Sequence, residues 1–453
     1  MIEIQPRNHI DASVTVPGSK SYTNRALIAA ALAQGESIIR NPLHSDDTRY
    51  TAEALNQLGI AVSVQPDGAF RVQGQDGRIP TRAARLFVGN AGTAMRFLTA
   101  MLTLGDGTYV IDGVDRMRER PIQDLLDGLV QLGADVRSVN GTGCPPVEVR
   151  AGGLRGGSVS IPGDKSSQFF SAILLAAPYA RTDVEIRVDG PLVSRPYVDM
   201  TISLMRGFGA LIEDSGLRGD RADTQQPSSP PVFPSSHLPI PASSCPGATM
   251  TVRAGRHYVG RDCTVECDAS SASYFLAAAA VTGGRVRVTG LSRESAQGDV
   301  HFADALARMG CEVHDGRTPD GVPFIEVRGG KLHGIEIDMA DMSDVSMTLA
   351  AVAVFAEGPT RIINVANMRL KETDRIAALA AELRRIGQDV TELPDGIIIQ
   401  PRPVRPAVIH TYDDHRMAMS FAVIGLRVAG IVIENPSCVS KTFPDFFARL
   451  AAP

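Results

Sequence analysis

The stretch "NMRLKETDRIA" at positions 367–377 sets Arg369, Lys371, Glu372, Asp374 and Arg375 between apolar flanks. If the segment is helical, Asn367, Lys371 and Arg375 share one stripe at four-residue steps, with Glu372 three residues before Arg375. It then presents cations that suit an anion, beside a carboxylate whose proton affinity a neighbouring guanidinium shifts. The same spacing also describes a solvated helix face whose ion pairs contribute about 0.3 kcal/mol each.

Other charges and hydroxyls gather where helices should begin. "PGSKSYTNR" carries Lys20, Ser21, Asn24 and Arg25, "GNAGTAMR" carries Asn90, Gly92, Thr93 and Arg96, and "PGDKSSQ" carries Lys165, Ser166, Ser167 and Gln168. Asp344 opens a fifth such segment, and Asp413, Asp414, His415 and Arg416 open a sixth. A helix start favours anions through its free N–H groups and its partial positive charge. Any one start alone reads as an ordinary cap. "PGSKS" also lacks the four residues that a P-loop places between its glycines, which argues against nucleoside triphosphate binding. The case for a site is therefore collective.

The elements that must position these groups recur along the chain. A polar start, a small-residue apolar helix and a β-rich run follow one another from Pro17, Gly89, Pro162, Cys267, Ser343 and Tyr412, mostly roughly 70 to 76 residues apart. The third interval is 105 residues. Its excess is "LRGDRADTQQPSSPPVFPSSHLPIPASSCPGAT", residues 217–249, whose Pro- and Ser-rich composition predicts a flexible surface insertion. Gly59, Gly133, Gly209, Gly310 and Gly387 each follow an apolar helix end and precede a strand, the place of a left-handed C-cap. Each unit thus reads as about βαβαββ. The first helices, such as "ALIAAALA" and "YFLAAAAV", are apolar nearly all round, which predicts helices buried inside sheets. The expected architecture is an inside-out α/β fold of two domains and six repeats, with three parallel buried helices per domain.

Bulk properties set the outer limits. At 453 residues and 44% hydrophobic content, the chain is long enough for two cores. A net charge of -5 gives no footprint for nucleic acid or a membrane surface, and neither a membrane span nor a secretory leader is apparent, so the sequence reads as cytoplasmic. Six scattered cysteines suggest neither a zinc site nor a disulfide framework.

On the motifs "PGSKSYTNRALI", "GNAGTAMRFL", "DRMRERPI", "SSQF", "VSRPYVDMT", "GDVHFADALARMG", "LKETDRIA", "YDDHRMAMSF" and "KTFPDFF", the chain resembles the 5-enolpyruvylshikimate-3-phosphate synthases of the enolpyruvyl transferase family. The motifs occur in order along essentially the whole chain outside the insertion. The resemblance implies that residues 1–18 join residues 266–453 in one domain, and that 19–265 form the other. It implies transfer of the enolpyruvyl group of phosphoenolpyruvate to the 5-hydroxyl of shikimate 3-phosphate, with release of phosphate and with no metal or organic cofactor. A monomer is expected.

By the same resemblance, shikimate 3-phosphate falls to Lys20, Ser21, Arg25, Ser166, Ser167, Gln168, Ser194, Tyr197, Asp344, Asn367 and Lys371. Phosphoenolpyruvate falls to Lys20, Gly92, Arg120, Gln168, Arg375, Arg416 and Lys441, with Asn90, Thr93, Arg96 and His415 in support. Asp344 is assigned as base, Glu372 as acid and Lys20 as a mobile charge between the substrates, a lysine near both carboxyls being an alternative proton carrier. Closure of the two domains over the substrates is expected to exclude water.

Two other functions are weighed against this one. A UDP-N-acetylglucosamine enolpyruvyl transferase usually carries a reactive Cys in the loop that here reads "DRMRERP", and a Lys-Asn pair where this chain has "KSYTNR". A non-catalytic repeat protein binding a sugar phosphate would have no need of Asp344 or Glu372. Two positions depart from the pattern. Phe97 stands where many members have Pro and is expected to tilt its helix, and Lys165 stands where many have an apolar residue, either touching phosphate or facing solvent. Gly92 matches the branch typically inhibited by glyphosate.

Overall fold

Six helices of small and apolar residues form the interior: α1 (Lys20–Leu32), α2 (Gly92–Leu102), α3 (Ser167–Ala176), α4 (Ala269–Thr282), α5 (Ser346–Ala353) and α6 (His415–Gly425). The computed structural model describes residues 1–215 and 248–452. Every residue of α2, α5 and α6 is buried, as is α1 from Thr23 onward. A helix can be covered on all sides only if every face is apolar or small, and Ala, Leu, Met and Ser supply that here. Four of the six begin on a side-chain cap: Ser19 accepts from the Tyr22 N–H, Ser166 from Gln168, Asp268 from Ser271 and Asp414 from Arg416.

Around these helices the described residues form six sheets, five of four strands and one of three. The sheet over α2 shows the pattern. Ala83–Phe87 pairs in parallel with Asp106–Asp112, in register Ala83 to Thr108, and α2 is the crossover that parallel pairing requires. Asp106–Asp112 then pairs antiparallel with Val147–Gly152, which pairs antiparallel with Asp135–Ser138. The three-stranded sheet, Ala407–Ile409 and Ile431–Ile433, is completed by Ile2–Glu3 from the chain start.

Two strands exchange places. Asp11–Thr15 precedes α1 yet pairs in parallel with Arg285–Thr289, whereas Asp262–Thr264 precedes α4 yet pairs in parallel with Gln34–Arg40. The chain therefore crosses twice between two apolar clusters. One cluster contains α1, α2 and α3 and runs from Ala26 to Val265; the other contains α4, α5 and α6 and adds Ile4 and Val16 to residues from Cys267 to Leu450. At the crossing the two segments run side by side, with Ser19 N donating to Glu266 O at 2.8 Å and Asp268 N to Pro17 O at 2.9 Å. Gly18 permits this approach, because a Cβ there would lie 2.0 Å from Asn41 O.

The five glycines that close the outer helices all have positive φ, from +83° at Gly59 to +108° at Gly310. An L-residue held there loses roughly 1–2 kcal/mol. The insertion at 217–249 lies outside the described residues except for its last two, and those two correct its boundary. Ala248 is buried, and Thr249 pairs with Arg187 and Ser215 in an antiparallel ladder. Among the described residues, no helix is long and apolar enough to cross a membrane.

Candidate active site

The N-terminal ends of the buried helices converge. One cavity is lined by Lys20, Ser21 and Arg25 of α1, Gly92 and Thr93 of α2, Ser166, Ser167 and Gln168 at α3, Asp344 before α5 and Arg416 of α6. Arg120, Ser194, Tyr197, Asn367, Lys371, Glu372, Arg375 and Asp47 complete the lining. Six cationic side chains there face three carboxylates, an excess of positive charge that suits an anionic occupant.

Contributions come from both apolar clusters, and direct contacts pin them together. Lys441 Nζ lies 2.9 Å from Asp47 Oδ1 and 2.7 Å from Asn90 O. Arg116 donates to Lys371 O at 3.0 Å and to Glu372 O at 3.1 Å. Ser194 N donates to Ala340 O at 3.0 Å, and Asn367 Nδ2 to Ser194 Oγ at 3.2 Å.

At one end of the cavity is Arg25, only 1% exposed, and every hydrogen-bond partner it has among the described residues is neutral. It donates to Thr201 Oγ1 at 2.7 Å, Ser21 O at 2.9 Å, and Ser171 Oγ and Tyr197 O at 3.1 Å each. Burial lowers its proton affinity, to a pKa of about 10. The rings of Phe97 and Tyr197 stand 5.2 and 5.8 Å from its guanidinium carbon, a cation–π arrangement. Phe97 thus bears on Arg25, within an unbroken α2, and not on the approach of Gly92 to a ligand.

At the other end the charges interlock. Asp344 meets Arg416 Nη2 at 3.0 Å, Arg375 Nη1 at 3.2 Å and Lys371 Nζ at 3.5 Å. Glu372 meets Arg375 Nη2 at 2.8 Å and Lys441 Nζ at 3.6 Å. Arg375 also holds Asp414, with Nε 2.7 Å from Oδ2. Burial pushes both carboxyls up, but the surrounding cations outweigh it. Arg416, Lys371, Arg375 and Lys20 hold Asp344 well below the usual range, and Arg375, Arg120 and Lys441 do the same for Glu372. Both are ionised while the cavity is unliganded. Burial, with Lys20 and Arg416 nearby, holds His415 well below its ordinary value, so its ring is neutral.

The expected site residues that do not line this cavity stand directly behind it. Asn90 accepts from Arg120 through both O and Oδ1 at 3.1 Å each. Arg96 is buried and braces the loop of Arg120 by donating to Pro121 O at 2.8 Å. His415 is buried beside Asp414, and Lys441 reaches in through Asp47 and Glu372.

One sequence expectation needs correction, and one alternative is decided. Positions 367–377 do not form one helix. A 3₁₀ turn spans Ala366–Leu370, Lys371 is extended, and a helix begins at Arg375 because Asp374 caps the N–H of Ala377. The stripe of four-residue steps therefore does not exist, and the break is what turns Lys371 and Glu372 inward. Of the two alternatives for Lys165 the structure bears out the second: it does not line the cavity, and its side chain is partly exposed with Asp124 3.0 Å from its Nζ.

Sequence reasoning missed Asp47, which is buried and bridges Lys20 Nζ at 3.3 Å to Lys441. Its one signal was the acidic pair Asp46-Asp47 opening a helix behind a Ser cap. It also missed Arg116, which reaches across to the 371–372 backbone from "DRMRERP". Among the described residues, no group of three or more His, Cys, Asp or Glu side chains is placed to hold a metal ion.

A family model described as EPSP synthase (3-phosphoshikimate 1-carboxyvinyltransferase) matches residues 4–221 and 240–450. The chain belongs to the EPSP synthase family. A 3-phosphoshikimate 1-carboxyvinyltransferase from Nostoc punctiforme is 47% identical over 99% of this chain and 98% of its own length. One from Shewanella amazonensis is 46% identical over 99% and 98%. Among solved structures, the EPSP synthase of Acinetobacter baumannii superposes with a TM-score of 0.75 at 27% identity, covering 98% of this chain and 96% of that one. The enolpyruvyl transferase NikO from Streptomyces tendae, at 19% identity and a TM-score of 0.72, shares the fold. In this EPSP synthase family member, the convergent helix starts and the cationic cavity occupy the same place in the chain as the motifs that first carried the resemblance.

Proposed function

We infer that this chain transfers the enolpyruvyl group of phosphoenolpyruvate to the 5-hydroxyl of shikimate 3-phosphate, releasing phosphate, a step of the shikimate pathway to aromatic amino acids. The observation that carries the inference is one cavity in which Asp344 and Glu372 share the guanidinium of Arg375, among six cationic side chains. Its support is the family membership and the near full-length identity to named enzymes of this activity. The finer fold reading is six βαβαββ units, turned inside out around three parallel helices in each of two domains, 19–265 and 1–18 with 266–453. The enzyme acts as a monomer in the cytoplasm. The described cysteines are free thiols, in keeping with a reducing compartment.

Shikimate 3-phosphate lies toward Arg25, Ser21, Ser166, Ser167, Gln168, Ser194, Tyr197, Asn367 and Lys371. Phosphoenolpyruvate lies between Arg120, Arg375, Arg416, Lys441 and the start of α2 at Gly92, where planar guanidinium forks suit its phosphate and carboxylate. Asp344 takes the proton of the 5-hydroxyl as its oxygen bonds to C2 of phosphoenolpyruvate, and Glu372 delivers a proton to C3. The resulting tetrahedral adduct loses phosphate, while a proton leaves C3 and the double bond returns. Lys20 neutralises charge where the two substrates meet.

Glu372 must carry a proton to do this, yet Arg375, Arg120 and Lys441 hold it ionised. Phosphoenolpyruvate resolves the conflict, because its phosphate and carboxylate engage Arg375, Arg120 and Lys441 and remove the attraction that depressed the carboxyl.

Phosphate release measured with both substrates tests the reading: turnover is expected with the pair and with neither alone. Turnover with UDP-N-acetylglucosamine in place of shikimate 3-phosphate would transfer the assignment to the sister activity. Domain closure is tested by small-angle scattering, with compaction expected on adding shikimate 3-phosphate and a phosphoenolpyruvate analogue. An unchanged radius would refute it.

Glyphosate, a phosphonate with a carboxylate, is expected to compete with phosphoenolpyruvate. A Cβ at Gly92 would stand 2.5 Å from Arg120 Nη2, so Gly92→Ala must displace that guanidinium. Losing one charge-assisted bond costs about 1.5–3 kcal/mol, so inhibition should weaken roughly tenfold or more. Unaltered inhibition in Gly92→Ala would show that Arg120 does not hold the inhibitor.

A further inference from the structure

Behind Tyr197 lies a carboxylate that the mechanism above does not use. Asp299 is 3% exposed, and its Oδ1 has no hydrogen-bond partner among the described residues. Its Oδ2 accepts from the Ser270 hydroxyl and lies 3.3 Å from the Tyr197 hydroxyl. That same hydroxyl is 3.4 Å from Asp344 Oδ2. Ser270 in turn accepts from Arg416 Nη2 at 3.3 Å, and this nitrogen is 3.0 Å from Asp344 Oδ2. Asp299, Tyr197, Asp344, Arg416 and Ser270 therefore close a ring.

We propose that Asp299 is a positioning residue for Asp344, acting through Tyr197: its charge decides which carboxylate accepts the phenol hydrogen bond, and so how strongly Asp344 attracts the proton of the substrate hydroxyl. The proposal rests on the enolpyruvyl-transfer reading. A phenol has one proton to give, and burial keeps that of Tyr197 in place far above the ordinary titration range. It cannot serve two carboxylates at once.

The charged and titratable groups that face Asp299 are Asp344, Arg416 and Asp268, together with Tyr197. Burial pushes the Asp299 carboxyl up to about 6, Asp344 adding to the rise, while Arg416 and the Ser270 hydroxyl oppose it. Below that pH, neutral Asp299 gives its own proton to the phenol oxygen. The phenol proton then points at Asp344 and weakens it as a base. Above that pH, ionised Asp299 accepts the phenol hydrogen bond and adds a negative charge beside Asp344, whose proton affinity rises. Turnover should therefore climb with pH through about 6.

The test is kcat from phosphate release with both substrates between about pH 5 and 8.5, for wild type, Asp299→Asn, Asp299→Glu and Tyr197→Phe. Asp299→Asn, neutral at every pH, is expected to match wild type on the acid side and to fall about tenfold below it at neutral pH, with the rise near 6 gone. Asp299→Glu should restore the rise. Tyr197→Phe should also lose it, and the Asn and Phe changes combined should cost no more than either alone. If Asp299→Asn does not fold, Tyr197→Phe carries the same test. A rise that persists in both variants, or a loss by one factor at every pH, overturns the role of Asp299. Absence of wild-type turnover overturns the underlying reading instead.

Discussion

Asp344→Asn is expected to lower kcat by about 10²- to 10⁴-fold, the contribution of a positioned general base. The amide keeps the shape of the carboxylate but neither accepts the substrate proton nor carries charge. Arg416 and Lys371 then lose the carboxylate they pair with, while Arg375 keeps Asp414 and Glu372. Leaving buried charge uncompensated typically costs about 3–5 kcal/mol, so the unliganded variant should melt at a markedly lower temperature. An anionic substrate repairs that imbalance. Shikimate 3-phosphate should accordingly raise the melting temperature of the variant by more than it raises that of wild type, even though turnover is lost. Steady-state phosphate release and thermal unfolding with and without shikimate 3-phosphate check both halves. A loss of less than tenfold in kcat would remove Asp344 from the role of base.

That pairing of lost turnover with retained affinity depends on groups the sequence exposed unevenly. The helix starts were legible because their chemistry is local: a cap residue, a glycine and a cation within four or five positions announce an N–H-rich end wherever it lies. Residues such as Lys20, Gly92 and Ser167 consequently occupy the wall their motifs predicted. The all-apolar faces of α1 and α4 were equally plain. Segment 367–377 misled because a periodicity argument presumes a continuous helix, and Asp374 restarts the helix at Arg375. The exchange of the strands Asp11–Thr15 and Asp262–Thr264 between sheets leaves no local trace, since each strand is bounded by the same kind of sequence. Asp47 and Asp299 are invisible for a related reason. Each acts through partners more than 25 positions away, Lys20 and Lys441 for the first and Ser270, Tyr197 and Asp344 for the second.

Arg25→Met should separate stability from binding in the opposite direction. Arg25 is buried among neutral partners, so the empty enzyme holds a desolvated cation with no counter-ion, at a cost of several kcal/mol. Met follows the same path with an unbranched apolar chain and can fill the space against Phe97. Few acceptors are stranded by the change. Tyr197 O keeps the Thr201 hydroxyl at 2.8 Å, and Thr201 Oγ1 keeps Ser171 Oγ at 2.8 Å. The unliganded variant is therefore expected to be at least as stable as wild type. Shikimate 3-phosphate loses the one cation at its end of the cavity that no carboxylate already shares. Truncating one partner of a buried charged pair costs about 2–5 kcal/mol, which predicts a dissociation constant at least roughly 30-fold higher. The affinity for phosphoenolpyruvate, whose contacts are Arg120, Arg375 and Arg416, should hardly change. Thermal unfolding without ligand and calorimetric titration with each substrate measure the two effects. A variant that melts several degrees early while still binding shikimate 3-phosphate would show that Arg25 is a structural brace and not a charge held in reserve for the substrate.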